Sequence, residues 1–171
     1  ISMAHPESVL PVLPCPRGPS EARTIWPFPG RSTGAGENWV AQLDTMFTHL
    51  TSVYFVDEFT GWTTGYDFGN DIGIVWKTID GGENWINQLA GEDVMLNDVY
   101  FVDENTGWVV GDNGIILTTS DGGINWVTQG SVTNNNLYSV HFTDESIGWA
   151  VGANGTILKT TNGGTDWSQQ N

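Results

Sequence analysis

Hydrophobic and polar residues follow a pattern that recurs three times along the chain. The first run of each repeat is rich in β-branched and aromatic residues and ends at an acidic turn, at residues 50–57, 96–103 and 137–144. Runs of this composition and length predict β-strands. No segment has a convincing helical period, so the pattern indicates an all-β protein.

Two shorter runs follow the first in every repeat and predict a second and a third strand. The second begins with Gly-Trp and ends with glycine, at 61–65, 107–111 and 148–152. The third lies at 73–78, 114–119 and 155–160, and in two repeats Asn-Gly opens it. Asn-Gly favours a tight hairpin, in which both central residues need a positive φ.

A turn that ends in tryptophan closes each repeat and leads into a predicted fourth strand. Its form is Ser/Thr-x-Asp/Asn-Gly-Gly-x-x-Trp, with complete copies at 78–85, 119–126 and 160–167 and a degraded copy at 32–39. The terminal tryptophans are 46, 41 and 41 residues apart. A period near 40 with four strands per unit is typical of propeller blades. The predicted fold is therefore all-β, built from four-stranded antiparallel blades of a β-propeller.

The repeats divide the chain into two regions. Residues 32–171 are the predicted repeat region, with blades at about 49–90, 95–130 and 136–170 and one extra fourth strand at about 38–43. Residues 1–31 hold all seven prolines and predict a linker, an extended arm or non-native sequence. Three and a quarter blades do not close a ring of four to eight. We expect a partial propeller, completed by further blades or by other copies.

The repeats resemble those of the photosystem II assembly and stability factor family, which also occur widely in secreted bacterial proteins. The resemblance covers about 32–171 and rests on the ordered recurrence of Gly-Trp, the Asn-Gly hairpin and the tryptophan turn. The turn itself resembles the Asp-box of bacterial neuraminidase repeats, which is shared with sialidases, sortilin-type receptors and some xyloglucan hydrolases. The resemblance implies a propeller and an extracellular or periplasmic location. It implies no activity, because one scaffold hosts many functions.

We predict a structural role for the Asp-box residues of the three complete turns. The Asp or Asn side chain accepts backbone N–H groups of its own turn, the glycines permit left-handed backbone, and the tryptophan covers the turn. Asn162 favours this interpretation, because an amide keeps the turn but lacks the charge of a catalyst or metal ligand. The residues are Asp80, Gly82, Trp85, Asp121, Gly123, Trp126, Asn162, Gly164 and Trp167.

The charge of the chain narrows the range of expected partners. The formal net charge is −15, and from residue 32 onward only Lys77 and Lys159 stand against 18 carboxylates. Nucleic acids and anionic membranes need basic surfaces, so neither is an expected partner. No run is long enough to span a bilayer as a helix. The lone Cys15 fits neither an internal disulfide nor a zinc site, and we predict no metal and no cofactor.

An insertion in the first full repeat is the one candidate ligand site. Five extra residues lengthen the loop at 66–72 between the second and third strands, which we expect on the same side as the connector 90–93. Aromatics beside carboxylates suit sugar stacking or Ca²⁺ binding by oxygen ligands, although a tolerated surface insertion is the favoured explanation. The candidate residues are Tyr66, Asp67, Phe68, Asp71, Glu92 and Asp93.

The sequence favours a scaffold over an enzyme. A sialidase needs an arginine cluster to hold its substrate carboxylate, and the repeats contain no arginine. The basic surface that the family resemblance implies for photosystem assembly is missing as well. We expect an extracytoplasmic, non-enzymatic scaffold for protein binding or self-assembly through open blade edges, with no catalytic residues. The alternative is a carbohydrate-binding or glycoside-hydrolase-type propeller module that uses the acidic and aromatic loops.

Overall fold

The computed structural model describes residues 30–33, 38–41 and 47–170, which form three four-stranded antiparallel sheets and one hairpin. Each sheet is a meander of consecutive strands, as predicted, and is called a blade here. Blade 1 contains β3 (Thr48–Phe55), β4 (Gly61–Asp67), β5 (Ile72–Thr78) and β6 (Ile86–Glu92). Blade 2 contains β7 (Leu96–Phe101), β8 (Gly107–Gly111), β9 (Ile116–Thr119) and β10 (Val127–Thr128). Blade 3 contains β11 (Leu137–Phe142), β12 (Gly148–Gly152), β13 (Ile157–Thr160) and β14 (Ser168–Gln169).

The hairpin pairs β1 (Gly30–Thr33) with β2 (Asn38–Ala41). The sequence predicted a strand at about 38–43 but no partner for it, because 30–33 lacks the composition of the other strands. The predicted Pro-rich arm, 1–31, lies outside the described residues except for Gly30 and Arg31, which begin β1.

The first strands of the three blades lie side by side. The Tyr54 ring on β3 is 4.9 Å from that of Tyr100 on β7, which in turn is 4.7 Å from the His141 ring on β11. These residues occupy equivalent positions in their repeats, so successive blades are arranged by one repeated step.

The Asn-Gly hairpins adopt the backbone that their sequence predicts. Asn113 and Gly114 have φ values of 57° and 74°, and Asn154 and Gly155 have 56° and 71°. The Ile115 N–H closes the first of these turns by donating to the Asp112 carbonyl oxygen at 3.2 Å. The third strands of blades 2 and 3 therefore start at Ile116 and Ile157, two residues later than the apolar runs alone suggest.

Most buried apolar side chains of the described residues belong to two clusters, each of which joins neighbouring blades. The cluster between blades 1 and 2 contains Trp62, Val75, Leu96, Val99, Phe101, Val109 and Leu117. The cluster between blades 2 and 3 contains Trp108, Val110, Ile116, Leu137, Val140, Phe142, Ala150, Leu158 and Trp167. Burial of a large apolar side chain stabilises a fold by about 1.5–3 kcal/mol. Most of the core therefore depends on contact between blades. In the described part of the chain, no helix is long and apolar enough to cross a membrane.

Candidate protein-binding surfaces

The first two complete Asp-box turns are closed by the same hydrogen bonds. In the first, the Gly82 N–H donates to Thr78 Oγ1 at 2.9 Å and the Asn84 N–H donates to Asp80 Oδ1 at 2.9 Å. Asn84 Nδ2 donates to Asp80 Oδ2 at 2.8 Å. The two bonds from Asn84, led by that from its side chain, stabilise the ionised carboxylate of Asp80 and lower its pKa to about 2. Matching bonds from Asn125, led by that from its backbone N–H, lower the pKa of Asp121 to about 2.

The third turn keeps the bonds with the acid and the amide exchanged. The Asp166 N–H donates to Asn162 Oδ1 at 3.0 Å, and Asn162 Nδ2 donates to Asp166 Oδ2 at 2.9 Å. Gly163 and Gly164 have φ values of 71° and 93°, which the side chain of another residue would strain. The exchange preserves the turn and moves its charge. The degraded turn at 34–37 lies outside the described residues.

The tryptophans of the three turns serve as apolar covers. The indole nitrogens of Trp85, Trp126 and Trp167 are buried and have no hydrogen-bond partner among the described residues. Each ring meets the edge or face of a phenylalanine on the first strand of its own blade, with centroids 5.9–6.0 Å apart. That these turns have only a structural role stays a prediction.

A second tryptophan, from the Gly-Trp pair, connects blade 1 to blade 2. The Trp62 ring stacks on Phe101 with centroids 3.6 Å apart and an interplanar angle of 9°. Trp62 Nε1 donates to the Gly122 carbonyl oxygen at 3.1 Å, and Lys77 Nζ donates to the same oxygen at 3.1 Å. Behind Phe101, a Cβ at Gly107 would lie 2.5 Å from the ring, so only glycine fits there.

The same arrangement connects blade 2 to blade 3. Trp108 stacks on Phe142 with centroids 3.5 Å apart and an angle of 8°, and Trp108 Nε1 donates to the Gly163 carbonyl oxygen at 2.9 Å. Gly148 lies against Phe142 as Gly107 lies against Phe101. We call this arrangement the interblade joint: a tryptophan of one blade, with a phenylalanine and an Asp-box carbonyl of the next.

The first blade presents an unpaired half of this joint, which we call the leading face: Val53, Phe55 and Gly81. Phe55 is 38% exposed and Val53 is 48% exposed. Their equivalents Phe101 and Val99 are 1% and 2% exposed. Phe55 keeps its edge contact with Trp85 at 6.0 Å, so the half-joint is already built.

The third blade presents the other half, which we call the trailing face: Trp149, Val151, Ile157 and Lys159. Val151 and Ile157 are 42% and 44% exposed, whereas their equivalents Val110 and Ile116 are fully buried. Among the described residues, no acceptor faces the Trp149 indole N–H. Lys159 Nζ lies 5.4 Å from the Trp149 ring centroid, much as Lys77 Nζ lies 4.9 Å from that of Trp62.

Sequence reasoning recognised Gly-Trp as a repeat marker but missed the joint. A usable signal exists, because a phenylalanine precedes each Gly-Trp at a constant distance and glycine leaves space for its ring. His141 occupies the position in its repeat that Tyr54 and Tyr100 occupy in theirs, and its ring packs against that of Tyr100 as Tyr100 packs against Tyr54.

A polar bridge across the first strands was also missed. Asp98 Oδ1 accepts Ser52 Oγ of blade 1 at 2.6 Å. Asp98 Oδ2 accepts Ser139 Oγ and the Val140 N–H of blade 3, both at 2.9 Å. One carboxylate therefore ties all three blades together. The signal is a lone aspartate where the sibling repeats have serine.

In the loop at 66–72, two aspartates have different partners. Asp67 Oδ1 accepts the Gly69 N–H at 2.8 Å, and its Oδ2 accepts Asn70 Nδ2 at 2.8 Å. These bonds, led by that from the Asn70 side chain, lower the pKa of Asp67 and commit its carboxylate to the loop itself. Tyr66 Oη donates to Asp71 Oδ1 at 2.8 Å, and this bond is the main reason that the pKa of Tyr66 rises to about 12.

A cleft of about 250 Å³ lies beside that loop and is lined by Tyr66, Asp93, Val94, Met95, Asp112 and Asn113. The structure thus brings Tyr66 and Asp93 together, as the predicted common side of loop and connector requires. Exposed Phe68 packs edge-on against Tyr66 at 5.1 Å. Glu92 ends β6, and its side chain lies outside the described residues. Among the described residues, no three or more His, Cys, Asp or Glu side chains are grouped to hold a metal ion.

Comparisons with known proteins agree with the repeat and the fold. The family described as Photosynthesis system II assembly factor YCF48 matches residues 125–171. Comparison with curated protein sequences gives no match. The family match and the solved structures described next confirm that the chain contains YCF48-like β-propeller repeats.

Three similar solved structures are larger propellers. "YCF48 bound to D1 peptide" has a TM-score of 0.63 and 24% identity, over 72% of this chain and 40% of that chain. "YCF48 from Cyanidioschyzon merolae" has a TM-score of 0.57 and 25% identity, over 72% of this chain and 37% of that chain. The Niastella koreensis GH74 enzyme has a TM-score of 0.59 and 15% identity, over 82% of this chain and 26% of that chain. This chain therefore spans two fifths or less of each, as a partial propeller does.

Proposed function

We propose that this chain is an extracytoplasmic, non-enzymatic scaffold that binds proteins through its leading and trailing faces, including copies of itself. The observation that carries the proposal is the exposure of Phe55 and Val53, whose equivalents in the other two blades are buried by a neighbouring blade. Covering apolar surface of this kind removes it from water and thereby stabilises a complex with a partner.

The similar structures support protein binding as the general function. One of them is YCF48 bound to a D1 peptide, so a propeller with this kind of repeat binds a protein segment. Its partner is not carried over to this chain, whose repeats lack arginine. The formal net charge of −15 favours solubility and disfavours nucleic acids as partners.

Capture by the immobilised chain tests the proposal. The chain and its Phe55→Ala and Trp149→Ala variants would be exposed to secreted proteins of the source organism, and bound proteins quantified by mass spectrometry. We expect each variant to lose partners that the unmodified chain retains. Ile124→Ala is the matched control, because Ile124 is an exposed aliphatic residue of blade 2 outside both faces. Equal capture by all four proteins would contradict the proposal.

Carbohydrate binding is the second candidate, favoured by one observation. Exposed Phe68 packs against Tyr66 next to a cleft that also holds Asp93 and Asp112, and aromatic faces beside carboxylates suit a sugar. A glycan array and a polysaccharide hydrolysis assay, each repeated with Tyr66→Ala and Phe68→Ala, separate this candidate from protein binding. Glycan binding that both variants abolish would favour it. Hydrolysis lost with Asp93→Asn would favour an enzyme.

A further inference from the structure

We infer that the two faces fit each other, so that the protein partner is a second copy of this chain, joined head to tail through a third interblade joint. This inference rests on the proposed function and names its partner. The chain itself provides the pattern, because it builds the same joint twice between its own blades.

The trailing face supplies the donor half. In the first joint, the Trp62 indole N–H and Lys77 Nζ both donate to one carbonyl oxygen. Blade 3 repeats this pair as Trp149 and Lys159, with the ammonium group again over the indole ring. Blade 2 has Thr118 at the lysine position, and its hydroxyl donates to Gly107 of its own blade instead. The trailing face therefore matches the donor side of the first joint.

The leading face supplies the acceptor half. Phe55 lies against Gly61 and edge-on to Trp85, as Phe101 lies against Gly107 and Trp126. In the part of the chain that the structure describes, no indole stacks on Phe55 as Trp62 stacks on Phe101. Gly81 has a φ of 71°, close to the 73° of Gly122, so the first turn has the conformation of the turn whose Gly122 carbonyl accepts from Trp62.

Joining the two halves would reproduce the contacts of the joints within the chain. Trp149 would stack on Phe55 of the second copy, and Trp149 Nε1 and Lys159 Nζ would donate to the Gly81 carbonyl oxygen. Val151 and Ile157 would pack where Val110 and Ile116 pack in the second joint. The contact continues an interface already present in the chain, which favours a second copy over an unrelated protein.

Two copies suffice to close the arrangement. The described residues of two copies contain six four-stranded sheets, three from each copy, beside one β1–β2 hairpin per copy, and closed propellers have four to eight blades. A head-to-tail contact that closes after two copies covers both faces of each chain and leaves none to extend a fibre. The inference therefore predicts a discrete dimer.

Charge acts against this association. Each copy has a formal net charge of −15, so two copies repel each other at low ionic strength. Dissolved salt screens such repulsion, while the stacked rings and buried aliphatic side chains depend little on it. We expect the dimer to strengthen as NaCl is added, opposite to a complex formed mainly by ion pairs.

Mixing two damaged chains tests the head-to-tail geometry. Sedimentation velocity would be measured on the full chain, on Phe55→Ala, on Trp149→Ala, on their equimolar mixture and on the control Ile124→Ala. A dimer of either variant lacks one aromatic ring in both of its joints. We expect its association to weaken at least about tenfold, as when central aromatic residues of interfaces are truncated to alanine. The mixture keeps one fully intact joint per pair and should associate more tightly than either variant alone. Ile124→Ala should associate like the unmodified chain.

Two outcomes would overturn the inference. One is an unmodified chain that stays monomeric at its highest soluble concentration and at high salt. The other is a mixture that associates no better than its components, since that result assigns the contact to another surface. Either outcome would remove self-binding from the proposed function, whereas the binding of other proteins is tested separately by the capture experiment. Circular dichroism of each variant checks that it remains folded.

Discussion

Phe101 and Phe55 occupy the same position in neighbouring blades, yet only one of them belongs to the core. Both lie against a glycine and meet an Asp-box tryptophan edge-on at 6.0 Å. Phe101 is also covered by Trp62, whereas no described residue covers Phe55 in this way, and Phe55 is 38% exposed. The comparison shows that a repeat specifies both halves of an interface, and that a neighbouring blade decides whether each half is buried.

The largest predicted difference between the two positions is in folding stability. Phe101→Ala removes a buried ring from the first joint and should lower the free energy of unfolding by about 3–5 kcal/mol. Phe55→Ala should lower it by about 1 kcal/mol or less in the monomer, because much of the ring already faces solvent. Urea denaturation at low protein concentration measures both. Equal losses would mean that Phe55 is covered in the monomer.

The indole donors should show the same contrast at smaller magnitude. Trp108→Phe keeps an aromatic ring in the second joint but leaves the Gly163 carbonyl oxygen without its donor, at a cost of about 1–3 kcal/mol. Trp149→Phe removes a donor that has no acceptor among the described residues of one chain, and should change stability by about 0.5 kcal/mol or less. If both variants lost the same free energy in thermal or urea denaturation, the hydrogen bond would not matter to the joint.

Asp98 distinguishes the middle blade from the outer blades. Asp98→Asn replaces one acceptor oxygen with an N–H₂ donor among the donors Ser52, Ser139 and Val140, and should cost about 1–2 kcal/mol. Ser139→Ala removes one donor and should cost less. Urea denaturation of both variants checks this order. A larger loss for Ser139→Ala would contradict the bridging role.

The smallest predicted effect is a loss of stability in acid, caused by protonation of the Asp-box carboxylates. The folded pKa of Asp80 and Asp121 is lowered to about 2 from an ordinary value near 3.8, so their stabilisation is present above pH 4. It is lost as the pH falls toward 2. Asp121→Asn should flatten this acid limb of the stability curve, measured by urea denaturation at several pH values. Thr165→Ala alters the third turn by removing a hydrogen bond to the Asn162 carbonyl oxygen, which is not a titrating group, and should leave the slope unchanged.

The sequence predicts those parts of the fold that local chemistry determines. Asn113 and Gly114 form their hairpin because both tolerate a positive φ, and the Asp-Gly-Gly turns close on side chains within four residues. Regular strand composition and a fixed repeat length made the four-stranded blades predictable. A reader of the sequence needs no knowledge of distant contacts for any of these features.

The joint and the polar bridge depend on distant contacts. Trp62 and the carbonyl that accepts its N–H are 60 residues apart, and Ser52 and Asp98 are 46 residues apart. Only the packing of one blade on the next brings them together. The pairing of β2 with β1 was missed for a different reason: the contact is local, but 30–33 follows a Pro-rich segment and lacks the composition of the other strands. At the loop, the residue types were recognisable, but the internal bonding of Asp67 was not.

The central claim is that the two ends of this blade array are complementary halves of one interface. The most direct test is the mass of the unmodified chain in solution, measured by light scattering across a range of protein and NaCl concentrations. The claim predicts a discrete species of twice the 18.6 kDa chain mass, favoured at high protein and high salt. A species of 18.6 kDa under every condition would contradict it.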